Sequence, residues 1–206
     1  MSAANAVLSS RRLAIGEAAL VSGVSPDRIN QLIDAKVLAQ DVVVSVHNTT
    51  YLRAKGCIIT RFVESEGNLV SEHLRERVMQ FLAMLQFNSA GPVIYEEGNL
   101  KIDLSVHVAA VLKALADLDT AYSLVIEDPD LWGGRPTVRG TQIGAHDVAH
   151  VLKTASIREA RKMYPSISKR QLELIRVYAS ARPRPASQRK SGLTPVVAEV
   201  FATAMN

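Results

Sequence analysis

The segment Asp128-Pro-Asp-Leu-Trp-Gly-Gly-Arg-Pro-Thr-Val-Arg-Gly-Thr141 gathers Gly133, Gly134, Gly140, Pro129 and Pro136 into residues 128–141. No helix or strand interior carries backbone punctuation this dense. The glycines permit positive φ or a close backbone approach, and the prolines fix φ, so the segment is a loop with one defined course. From His146 to about Ala181 the pattern changes to three short helices. Capping boxes open the last two, Ser156 with Glu159 and Ser168 with Gln171, at the three-residue spacing that reciprocal capping requires. The last helix sets Leu172, Ile175 and Ala179 on one face and leaves Lys169, Arg170, Glu173 and Arg176 elsewhere, as a recognition helix does; Arg158, Arg161 and Lys162 add charge nearby. An ordinary polar face balanced by Glu159 and Glu173 has the same pattern.

Toward the N-terminus, residues 13–38 have the pattern of a helix-turn-helix: a helix near 15–21, a turn at Ser22-Gly23-Val24 and a second helix beginning at Ser25. Ser25 caps that helix, Pro26 occupies the first helical position where a missing N–H costs nothing, and Asp27 suits the positive end of the dipole. Ile29, Leu32 and Ile33 form the packing stripe, which turns Arg28, Asn30 and Gln31 outward. Those three have base-reading chemistry, Arg toward guanine and Asn or Gln toward adenine, so the helix is expected to enter a major groove. The alternative is a solvated helix in a structural αα-hairpin. Residues 42–46 are a β-branched run before a turn at Asn48-Thr49-Thr50, which predicts a hairpin or wing with Arg53 and Lys55 near phosphates. Residues 56–63 fit a strand or a helix, with helix favoured. A helix over 70–85 capped by Ser71, a hairpin over 93–104 turning at Glu97-Gly98-Asn99, and a helix over 106–118 complete this half.

With 206 residues and 48% hydrophobic content, one or two domains with cores of their own are expected. No run of 18 apolar residues and no signal-peptide pattern occurs, and the lone Cys57 has no internal disulfide partner, so the expectation is a cytoplasmic protein with no membrane association. The net charge is only +4, and Arg182, Arg184, Arg189 and Lys190 supply four positive charges by themselves. Nucleic-acid affinity in the rest of the chain therefore has to come from cations gathered on one face.

Two enzymatic patterns fail. His146 and His150 have the spacing of a zinc-hydrolase helix, but Asp147 replaces the required Glu and no clustered third ligand follows. A P-loop needs Gly-Lys before Ser or Thr, and this chain has Arg139-Gly140-Thr141. The expectation is a non-enzyme with no catalytic residues, metal or cofactor. Arg135 and Arg139 are left to grip DNA phosphates or a carboxylate within the fold.

The 128–141 motif, the three helices after it and the Tyr164-Pro165 pair between the second and third resemble a small bacterial domain whose hallmark is D-P-x-x-x-G-G-x-P-x-x-R-G-T. It occurs in antitoxins of the VapB type. The resemblance spans about 55 residues and implies a mainly α protein: an N-terminal helix-turn-helix, winged or MerR-like, with small β-hairpins, then a three-helix homeodomain-like module. It implies domains at 1–120 and 121–182 and a basic, Pro-rich tail at 183–206. The implied function is an antitoxin that binds operator duplex DNA as a homodimer, represses its own operon and neutralises a PIN-like ribonuclease toxin. A stand-alone regulator with an effector or dimer region in the middle, and an interaction module with no DNA role, are the alternatives. Within the motif Arg135, Arg139, Thr141 and Gln142 become candidate DNA contacts, although the family usually has arginine where Gln142 stands. In the tail the stripe of Val197, Val200 and Phe201 is expected to fold on a partner or back on its own domain. Because PIN-like nucleases gather carboxylates around a metal, the resemblance implies toxin contacts for Arg182, Arg184, Arg189 and Lys190.

Overall fold

The strand Arg12–Ala14 (β1) enters the helix Ile15–Ser22 (α1) directly, and Glu17 in its first turn accepts the Ala14 N–H at 2.9 Å. In this computed structural model, which describes residues 10–85, 91–128 and 134–184, the chain is mainly helical with three small antiparallel sheets. It divides into two units, Met1–Ala116 and Asp117–Asn206.

In the first unit α1 ends at Gly23, whose φ of 74° is a left-handed conformation that glycine adopts without Cβ strain. The next helix, Pro26–Asp34 (α2), begins as its sequence predicts: the Ser25 hydroxyl accepts the Arg28 N–H at 3.3 Å, and Pro26 stands at the first helical position. The strands Val43–Val46 (β2) and Thr49–Arg53 (β3) form a hairpin, and β1 adds to the other edge of β3, giving the order β1-β3-β2. The hairpin turns at His47 and Asn48, one residue before the expected Asn48-Thr49-Thr50. Val46 pairs with Thr49, and both loop residues have positive φ, 46° and 61°, the conformation a two-residue primed turn demands.

The ambiguous 56–63 segment lies in the helix Ala54–Ser65 (α3), buried almost throughout, so its β-branched residues pack in the core rather than pair in a sheet. Leu13, Ala18, Ile29, Leu52, Cys57, Ile58 and Phe62 are fully or almost fully removed from water and join α1, α2, α3 and β3 in one core. Each large side chain among them stabilises by about 1.5–3 kcal/mol. Burial also pushes the Cys57 thiol up to about 12, which keeps it un-ionised. The helix Glu72–Met84 (α4) follows, with the Ser71 hydroxyl capping Leu74 N–H at 3.3 Å. The strands Ile94–Glu97 (β4) and Leu100–Asp103 (β5) turn at Gly98-Asn99. The helix Ser105–Leu124 (α5) continues six residues past the predicted end at Leu118 and contains the boundary between the units.

In the second unit the short strands Val125–Ile126 (β6) and Thr137–Val138 (β7) pair antiparallel, so the Gly-Pro loop returns to the end of α5. Gly134 and Gly140 both have φ of 74°. Three helices follow, Ala145–Thr154 (α6), Ile157–Met163 (α7) and Lys169–Ala181 (α8), and both predicted capping boxes are formed. Their core includes Val138, Val148, Ala160, Ile167, Leu172, Ile175 and Tyr178. Among the described residues no helix is long and apolar enough to cross a membrane.

Candidate nucleic-acid interface

The α1–α2 pair is tied to α3 through side chains that local pattern does not reveal. Ser22 is buried, and its hydroxyl donates to Ala18 O at 2.7 Å while accepting Val24 N–H at 3.3 Å, so the turn is braced from inside. Arg61 of α3 donates through Nη1 to Ser22 O at 3.1 Å, meeting a carbonyl at the negative end of α1. A charged residue in the apolar run Ile58-Ile59-Thr60-Arg61-Phe62-Val63 was the available signal for this brace. With Ile29 and Leu32 buried against the core, the orientation of α2 is fixed.

On the outer side of α2, Asp27, Asn30 and Gln31 are exposed. Arg28 is engaged: its Nε donates to Glu64 Oε2 at 2.9 Å and its Nη1 to Gln31 Oε1 at 3.3 Å. The side chains of Arg28 and Glu64 are 42% and 44% exposed, so solvent screens the pair and it is worth at most about 1 kcal/mol. A bidentate arginine–guanine contact discriminates by about 1–3 kcal/mol and is able to displace it.

The hairpin residues behave differently from one another. Arg53 is half-buried at the end of β3, where it precedes α3 and stands opposite Arg12 in the sheet register. Lys55, expected near phosphate, donates instead to Ala83 O at 3.0 Å at the last turn of α4, and burial lowers its pKa.

In the second unit most of the expected cations are likewise committed. Asp147 is 5% exposed and pairs with Arg135, so of the two roles open to Arg135, phosphate or internal carboxylate, the structure has the carboxylate. Arg139 donates through Nε to Ser123 O at 2.8 Å. Thr141 donates to Val138 O at 2.8 Å and accepts Ile143 N–H at 3.1 Å, closing the loop. Gln142 is exposed. Arg170 pairs with Asp117 and lies 3.7 Å from Glu173, while Lys169 is 4.0 Å from Glu173. Arg176 is exposed on α8.

Arg182 lies 3.2 Å from Glu127 and stacks 5.0 Å from the Tyr122 ring centroid, and Arg184 lies 3.8 Å from Asp147. The Tyr178 hydroxyl donates to the same Glu127, and burial followed by that bond raises its pKa. Opposite charge and an aromatic face draw these two arginines onto the body of the unit. Arg189, Lys190, Val197, Val200 and Phe201 lie outside the described residues.

His146 and His150 do not share an environment. His150 is exposed, whereas His146 is half-buried with its ring 5.7 Å from that of Tyr178; burial, then the positive charge of Arg184, lowers its pKa.

Over 197 residues, 89% of this chain and 87% of the relative, the sequence is 31% identical to the uncharacterized protein y4eO of Sinorhizobium fredii (strain NBRC 101917 / NGR234). No family model matches the chain, and no solved structure matches it.

Proposed function

The chain belongs to the family of the Sinorhizobium fredii protein y4eO, and we propose that it is a DNA-binding antitoxin that represses its own operon and neutralises a PIN-like ribonuclease toxin. The observation that carries the DNA half is the Ser25-capped helix α2, held by a braced turn and presenting Asn30 and Gln31 to solvent, with the β2–β3 hairpin in the same unit. In this proposal α1 and α2 are a helix-turn-helix, the hairpin is its wing, and the three helices after the Gly-Pro loop are the homeodomain-like module. The protein acts as a cytoplasmic homodimer, each copy supplying one α2 to a half-site. The toxin half rests on the resemblance of residues 128–141 and of the helices after them.

A stand-alone transcriptional regulator is the second proposal. The pairing of Arg184 with the buried Asp147 favours it, because an arginine held by a buried acid of its own unit is not poised to enter a nuclease site. Co-expression with the product of the adjacent gene separates the two. An antitoxin yields a tight heterocomplex that shifts DNA from its own upstream region and rescues growth, and truncation after Ala181 abolishes rescue while DNA binding persists. A stand-alone regulator shifts the same DNA with no heterocomplex.

A further inference from the structure

Between α7 and the start of α8 lies an open groove of about 680 Å³ lined by Ile157, Arg158, Arg161, Lys162, Pro165 and Lys169. Four of these six residues are cationic and none is acidic. Arg158, Arg161 and Lys162 are exposed and form no salt bridge among the described residues, unlike Arg135, Arg139, Arg170, Arg182 and Arg184 of the same unit, which are all engaged. The acids closest in sequence are otherwise occupied. Glu159 accepts the Ser156 N–H at 2.8 Å and the Ser156 hydroxyl at 2.7 Å in the capping box, with Lys162 the groove cation whose charge acts on it, and Glu173 is shared between Lys169 and Arg170.

We infer that this groove grips the phosphodiester backbone of duplex DNA, a second DNA contact besides α2; this rests on the proposal that the protein binds DNA. The form of the site selects the ligand. An enclosed pocket with buried, paired cations suits a small anion, whereas here the cations stand in solvent, where one against a single phosphate is worth little. Against a polyanion each cation that meets a phosphate releases condensed counterions, so the same weak contacts add up. Ile157 and Pro165 give the groove apolar wall rather than hydrogen-bonding groups, so it contributes charge and register and no base readout.

The test uses the full-length protein and two labelled duplexes, one from upstream of its own gene and one of random sequence, titrated over a range of salt. The triple variant Arg158→Gln, Arg161→Gln, Lys162→Gln is expected to lower the slope of log affinity against log salt by about two to three units on both duplexes, leaving their affinity ratio unchanged. The charge-conserving variant Arg158→Lys, Arg161→Lys, Lys162→Arg is expected to keep the wild-type slope, which separates lost charge from lost folding. An unchanged slope in the glutamine variant overturns the inference, as does displacement of both duplexes by inorganic phosphate or polyglutamate at equal charge concentration. A parallel Asn30→Ala, Gln31→Ala variant keeps the inference and the proposal apart. If it loses the affinity ratio while the glutamine variant behaves as wild type, only the groove assignment fails. If it keeps the ratio while the glutamine variant loses slope, the role of α2 fails and the groove stands.

Discussion

The two units place their arginines differently. In the first, Arg61 braces a turn from within and Arg28 lies in a half-exposed pair, so the outer side of α2 keeps an exchangeable cation beside exposed amides. In the second, the 5%-exposed Asp147 holds Arg135 and Arg184, Arg170 and Arg182 lie in more exposed pairs with Asp117 and Glu127, and Arg158, Arg161 and Lys162 of α7 are among the exposed cations with no salt bridge among the described residues. A count of basic residues ranks the second unit as the stronger DNA binder. The partners of those residues show that part of its charge, above all at Asp147, is committed within the unit.

The sharpest way to break this contrast is at Asp147. Its carboxylate is 5% exposed and meets two arginines, so Asp147→Ala leaves Arg135 without its counter-charge and should destabilise the protein by about 3 kcal/mol, with Asp147→Asn costing less. Denaturant unfolding checks this; a loss under about 1 kcal/mol would mean that the pair is no more than a surface contact.

A smaller effect is expected in the loop. Gly140 has φ of 74° and open space around its Cβ position, so an added Cβ meets no atom within 4 Å and the penalty expected is that of the backbone. Gly140→Val should cost more than about 1 kcal/mol, and Gly140→Asn should recover most of it, since asparagine visits the left-handed region more readily. Equal melting temperatures for the valine variant and wild type would show that the loop tolerates ordinary angles. In the first unit, Arg61→Leu removes the charged donor from Ser22 O and is expected to cost about 1–2 kcal/mol and to weaken DNA binding with it, which no loop variant in the second unit should do through α2.

The smallest effect is a pH dependence confined to the second unit. His146 is held below its ordinary pKa of 6.5 by burial and by Arg184, so folding disfavours its protonation. Stability is complete above about pH 6.5 and declines as pH falls through that value toward the lowered folded-state pKa, because the unfolded chain binds the proton more readily. His146→Gln should flatten that part of the stability–pH curve. A wild-type curve that is flat between pH 7 and pH 5 would contradict it.

Local chemistry was legible in the sequence where one turn of chain is enough to satisfy it. Ser25, Ser71, Ser156 and Ser168 cap as their spacing predicts, and α2 buries Ile29 and Leu32. The partners of the charged residues were not legible, because they lie far along the chain: Arg28 meets Glu64 across 36 residues, Arg170 meets Asp117 across 53 and Arg182 meets Glu127 across 55. Nothing in a window of helical period encodes such a pairing. For the same reason the bond from Lys55 to Ala83 O, 28 residues along the chain, was not legible. The hairpin turn shifted by one residue because His47 and Asn48 accept positive φ together, a property weaker in composition than the Asn-Gly signal that marks such turns.

The most direct test of the central claim, that α2 reads DNA, is the affinity ratio between the duplex from upstream of the gene and a random duplex at fixed salt, for wild type, Asn30→Ala and Arg28→Ala. If α2 lies in the major groove, each substitution lowers the ratio by about fivefold or more, corresponding to about 1–3 kcal/mol of lost discrimination, while random-duplex binding by Asn30→Ala is unchanged. Losses on the two duplexes that are equal, or no loss on either, would contradict the claim and return α2 to the role of a solvated structural helix.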